Sequence, residues 1–184
     1  MNSAAPASRY LEIFPQWLRS LGEDALAVGD VIAHATSSDE STRESGRCLI
    51  SGINYIFKSL DLIPDGVDDL GFLDDAFVLR VACGFAVAAD PALKQGVVER
   101  LAEDAHAVRD FLSEIYPGLE SYVADLRKGA ARGRSVDDIV NDPDAQRAFL
   151  EDVRSWAAAY RPPSFTRDPK TLVKLKAFLS AKLA

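Results

Sequence analysis

Six aspartates, Asp61, Asp65, Asp68, Asp69, Asp74 and Asp75, fall within fifteen residues, and no basic residue stands among them. Lys58 and Arg80 lie just outside. Carboxylates this close repel one another unless helix amides, a nearby cation, a bound metal or water offsets the charge. Hard oxygen donors suit Mg²⁺ or Ca²⁺, so Asp61, Asp65, Asp74 and Asp75 are the candidate metal ligands. A structural reading stands beside that one. Asp74 and Asp75 open a helix, where its dipole favours acids by about 0.3–1 kcal/mol each. Asp65-Gly66 is a common turn pair, and Asp61 follows a helix end, where it can bind back to loop amides.

The regular calcium loop does not fit. Counted from Asp61, position 5 is Asp65 and position 6 is Gly66, as that loop requires. Position 3 is Ile63 and position 12 is Phe72, so two essential ligands are missing. Other chemistry is thinner. Arg127-Lys128-Gly-Ala-Ala-Arg132-Gly-Arg134 is a basic loop whose glycines match no nucleotide fingerprint, and it reads as solvated. His106 reads as an exposed helix-face residue, and His34 as a partner for a helix C-terminus. Two histidines and two cysteines form no zinc spacing, and no Gly-x-Ser-x-Gly elbow occurs. Cys48 and Cys83, each in an apolar run, read as small core residues of a reducing compartment.

The elements that position the acids read as helices. Helical spacing of apolar residues places them near Arg9–Leu21, Asp24–Ala35, Glu40–Leu60, Phe72–Ala88, Pro91–Tyr116, Leu119–Lys128, Val136–Val140, Pro143–Tyr160 and Pro169–Leu183. Asp90-Pro91, Asp142-Pro143 and Asp168-Pro169 pair a capping acid with a proline that has no amide to lose. No alternating run marks a strand. Leu49, Ile53, Ile56 and Leu60 make one stripe of the third helix, and the fourth is apolar nearly all round except for Arg80. The expectation is an all-α single helical domain around a buried central hairpin, with the acids at its tip. Residues 1–160 make that domain. Loops are expected at Ser37–Asp39, Gly129–Ser135 and Arg161–Arg167, and the last is a proline-bearing linker to a basic amphipathic helix ending the chain.

Leu60-Asp-Leu-Ile-Pro-Asp65, preceded by Tyr55, and Gly71-Phe-Leu-Asp-Asp75, followed by an apolar helix, resemble the YkvA-like family of bacterial domains of unknown function. The resemblance covers about residues 50–87. It implies a helical hairpin and places the family's signature acids on Asp61, Asp65, Asp74 and Asp75, but it implies no reaction. The spacer Gly66-Val67-Asp68-Asp69-Leu70 is more acidic than the family's apolar one, which argues against a tip that enters a membrane.

The net charge of -7 disfavours nucleic acid. It is unevenly spread: six Lys or Arg against one Asp from Arg161 onward leave -12 on the body. The longest apolar stretch, Ala76–Ala89, contains Arg80 and Gly84 and is too short to span a membrane. Met1 to Ser8 lacks the basic-then-apolar order of a signal peptide, so a cytoplasmic protein is expected. The leading expectation is a non-enzymatic binding or scaffold module whose acidic tip receives a divalent cation or a basic partner, a protein or a second copy of the chain. The alternatives are a metal-dependent enzyme using the same acids, and a peripheral membrane protein attached through its last helix. For that helix, packing against the acidic body is the simpler expectation.

Overall fold

A computed structural model describes residues 4–35, 39–58 and 61–184. Eight α-helices account for most of them: α1 (Ala4–Ala33), α2 (Glu40–Asn54), α3 (Leu73–Ala89), α4 (Gly96–Leu112), α5 (Tyr116–Asp125), α6 (Val136–Asn141), α7 (Pro143–Ala159) and α8 (Pro169–Leu183). Helix starts follow the capping chemistry. Asp39 accepts the Thr42 amide, Asp142 that of Asp144, Asp168 that of Lys170, and Ser135 with Asp138 closes a capping box.

Helix α3 is the centre, packed between α2 and α4. From Leu73 to Cys83 every residue of α3 is buried, as an all-round apolar pattern demands. Phe14 and Trp17 of α1, Phe77 of α3 and Phe111 of α4 stack edge to face between these helices. The all-α single domain on a central α2–α3 hairpin is therefore the observed architecture. Among the described residues no helix is long and apolar enough to cross a membrane.

Several boundaries differ from the sequence pattern, each for a physical reason. Arg9–Leu21 and Asp24–Ala35 are one helix, α1, with Pro15 inside it. Gly22 looks like a break but marks close packing, because a Cβ there would lie 3.2 Å from the Tyr160 ring. The third helix ends at Asn54, and a 3₁₀ turn over Tyr55–Phe57 follows. Asp90-Pro91 caps a 3₁₀ turn rather than the long helix, which starts at Gly96. The loop at 129–135 holds a small hairpin pairing Ala130–Ala131 with Arg134–Ser135. Its basic residues are engaged: Arg127 meets Glu44, Arg134 meets Asp152, and Arg132 lies over the Phe57 ring. Ser37 and Ser38 of one expected loop, and Leu60 of the apolar stripe, lie outside the described residues.

The segment from Arg161 to Arg167 forms neither helix nor strand, yet it is fastened to the body. The Asp69 carboxylate accepts from the Thr166 amide at 2.9 Å and its hydroxyl at 3.0 Å, and Arg167 reaches Glu12 at 3.1 Å. Helix α8 then buries Leu172, Leu175 and Leu179 on the side of α1 and α5. Lys170, Lys174 and Lys182 face solvent, and Lys176 lies 4.0 Å from Glu114. Cys48 and Cys83 are buried free thiols; burial pushes Cys83 up to about 12. His34 Nδ1 donates to the Asp30 carbonyl at 2.7 Å, closing the end of α1.

Candidate functional site

The acidic turn begins where α2 unwinds and ends where α3 starts. Pro64 to Val67 closes a β-turn, with the Val67 amide on the Pro64 carbonyl at 3.0 Å, and this puts Asp65-Gly66 at its corner. The chain then crosses back over itself. A Cβ on Gly71 would fall inside the contact radius of the Asp65 carbonyl oxygen, so only glycine fits there. Asp69 and Phe72 take left-handed backbone with φ of 67° and 66°, and α3 opens at once behind them.

This geometry separates the six acids into different jobs. Asp68 is exposed and Asp69 holds the C-terminal strap. Asp74 is fully buried and works as a latch: its Oδ2 accepts the Ile63 amide at 3.1 Å and the Tyr55 hydroxyl at 2.6 Å. The same hydroxyl accepts the Leu62 amide at 2.7 Å. Asp74 therefore does more than meet the helix dipole, since it ties the turn to both helices of the hairpin.

Asp61 and Asp75 are not explained this way. Asp75 is 1% exposed, and its Oδ2 has no hydrogen-bond partner. Asp61 Oδ1 and Asp74 Oδ1 are likewise buried and unpartnered. An orphan carboxylate oxygen away from water costs free energy that the fold must meet elsewhere. Burial pushes Asp75 well above the ordinary carboxyl range, and the neighbouring charges of Asp74, Asp65 and Asp61 push it further. Burial, then Asp74 and Asp65, raise Asp61 to about 7; burial and Asp74 raise Asp65 to about 6. The four predicted acids thus share one electrostatic neighbourhood.

Neither flanking cation resolves it. Lys58 sits over the Tyr122 ring, 3.3 Å from its hydroxyl, and only modestly lowers Asp61. Arg80 points elsewhere. It is fully buried on α3, donates to Asp104 at 3.2 Å and to the Ala76 carbonyl at 3.1 Å, lies 3.8 Å from Asp24 and stacks on Trp17 at 4.0 Å. Asp24 is itself held by Ser20 and Arg100. Burial lowers Arg80 to about 10 against the pull of these acids. A lone arginine in an all-apolar helix signals such a buried partner, although its partners are remote in sequence.

Above the acids lies an aromatic wall that sequence reading missed. Phe72, Trp156 and Tyr160 stack with centroids 4.8–6.2 Å apart, and the Tyr160 hydroxyl donates to the Leu18 carbonyl at 2.7 Å. Burial, with Asp75 and Asp65 nearby, holds that phenol above its ordinary range. Among the described residues, no three Asp, Glu, His or Cys side chains stand ready-made around a single metal position. The cavities of about 380 and 550 Å³ elsewhere in the molecule have none of the six aspartates in their walls.

The chain matches no protein-family model, no curated protein and no solved structure.

Proposed function

We propose that this chain is a non-enzymatic binding module, a helical scaffold whose acidic turn takes a divalent cation such as Mg²⁺ or Ca²⁺. The observation that carries this reading is Asp75, almost fully buried with its Oδ2 unpartnered, and the orphan oxygens of Asp61 and Asp74 in the same neighbourhood. A small ion supplies what no side chain there supplies. Because Asp74 Oδ2 is committed to Tyr55 and Ile63, the ion takes the free oxygens of Asp74 and Asp75, and the Asp61–Asp65 segment closes over it. A basic protein partner is a poorer fit, since its side chains reach only the exposed Asp65 and Asp68. Binding is preferred to catalysis because the larger cavities that could seat a substrate lie away from these acids. The resemblance to YkvA-like domains agrees with the choice of acids.

The test is thermal unfolding of chelator-treated protein with and without millimolar Mg²⁺, Ca²⁺ or Mn²⁺. Binding to the native state raises stability by about 2.7 kcal/mol at a hundredfold excess over Kd. The expected result is a cation-dependent rise in midpoint that Asp61→Asn with Asp75→Asn abolishes. An unchanged midpoint with every ion would overturn the reading.

A further inference from the structure

The cavity of about 550 Å³ opens between the end of α1, the first three turns of α2, and helices α6 and α7. Along α2 its wall changes character in one direction. Thr42 and Arg43 come first, then Ser45 and Gly46, then Leu49 and Ile50. Residues three and four apart share a helix face, so this is a single face, polar at its N-terminal end and apolar at the other. Val31, Ile32, Leu93 and Val140 add apolar surface to the same cavity.

Two features of this face bear on what it can bind. Gly46 stands in the interior of α2, where glycine is unfavourable relative to alanine. A Cβ there would meet no atom within 4 Å, so no neighbour demands the glycine, and its effect is to leave the cavity open. Arg43 donates to the neutral carboxamide of Asn141. By contrast Arg47, one turn on, meets Asp137 at 2.9 Å and Glu44 at 3.6 Å. Arg43 also stands in the first turn of α2, whose N-terminus is capped by the Asp39 carboxylate on the Thr42 amide at 2.8 Å. The acid at the rim, Asp90, is occupied in accepting the Ala92 amide.

We propose that this cavity binds a small carboxylic acid with an unbranched apolar chain. The carboxylate pairs with Arg43 and the Thr42 hydroxyl, and the chain runs over Gly46 against Leu49 and Ile50. Volume and lining both suit such a ligand: sites for small molecules span about 300–1,000 Å³ and are apolar with a few placed polar groups. The site is separate from the acidic turn and does not depend on the cation reading.

Isothermal titration of the full chain with octanoate, and in parallel with 1-octanol, tests it. Octanoate is expected to bind saturably, and octanol about tenfold more weakly or worse, because it lacks the charge for Arg43. Arg43→Gln should weaken octanoate by about tenfold and erase the difference between the two probes. Gly46→Leu should fill the cavity and abolish binding while its thermal midpoint is unchanged or higher. No saturable binding to the wild-type chain, undiminished octanoate binding by Gly46→Leu, or equal binding of octanol and octanoate would each overturn the proposal.

Discussion

Tyr55 donates its hydroxyl hydrogen to Asp74 Oδ2 at 2.6 Å, joining the end of α2 to the start of α3 across the acidic turn. With the Leu62 amide on the same hydroxyl, one tyrosine satisfies a buried donor and a buried acceptor. Tyr55→Phe leaves both without it. The expected cost is about 2–3 kcal/mol, or a midpoint lowered by roughly 4–12 °C. Amide exchange at Leu62 should quicken more than at the centre of α3, which separates loss of the latch from general loosening. Equal acceleration everywhere would count against the latch.

Gly71 and Gly66 belong to the same turn but should respond very differently to alanine. At Gly71 the new methyl meets the Asp65 carbonyl oxygen, so the turn has to move. At Gly66 it meets nothing within 4 Å. Urea unfolding should show Gly71→Ala losing about 2 kcal/mol or more, and Gly66→Ala changing by roughly 0.5 kcal/mol or less. Similar losses at both positions would mean that the crossing of the chain at Asp65 does not constrain the turn.

How much of this was legible beforehand depends on whether the cause lies near in sequence. The α2–α3 hairpin could be read because apolar periodicity is local, and so could the capping Asp-Pro pairs. The turn could be located from Asp65-Gly66 and from the density of acids. The division of labour among those acids could not, because it rests on Tyr55 meeting Asp74 and on Thr166 meeting Asp69. The division of α1 after Leu21 failed for the same reason, since the packing at Gly22 comes from Tyr160, remote in sequence. Arg80 was visible as an anomaly, but Asp24 and Asp104 were not identifiable as its partners without the fold.

The acids of this turn give stability an unusual pH slope. Asp61, Asp65 and Asp75 hold protons more tightly folded than unfolded. Their contribution is therefore fully present below the unfolded carboxyl pKa of about 4. It is lost as pH rises through the folded values, about 6 for Asp65 and about 7 for Asp61. In chelator, the thermal midpoint should fall between pH 5 and pH 8, and Asp75→Asn should raise the midpoint at pH 8 and flatten that slope. A bound cation competes with these protons, so any midpoint rise it causes should shrink below pH 6. A midpoint that climbs from pH 5 to 8 without metal would contradict this account of the turn.

The last prediction concerns Arg80, whose guanidinium is fully buried. Removing it leaves Asp24, 3% exposed, with only Ser20 and Arg100, and strips Asp104 and the Trp17 face of their partner. Breaking a buried pair from one side typically costs about 3–5 kcal/mol, because the surviving charge stays buried. Arg80→Met keeps most of the volume, so the loss it causes reports charge rather than packing. Asp24→Asn added to Arg80→Met removes the stranded carboxylate and should recover part of that loss. The double-mutant cycle distinguishes two accounts of α3. Coupling of about 1 kcal/mol or more between the sites means that the ion network fixes how α1, α3 and α4 sit together. Additive losses would mean that the aromatic cluster around Phe77 sets that arrangement and Arg80 merely fills space within it.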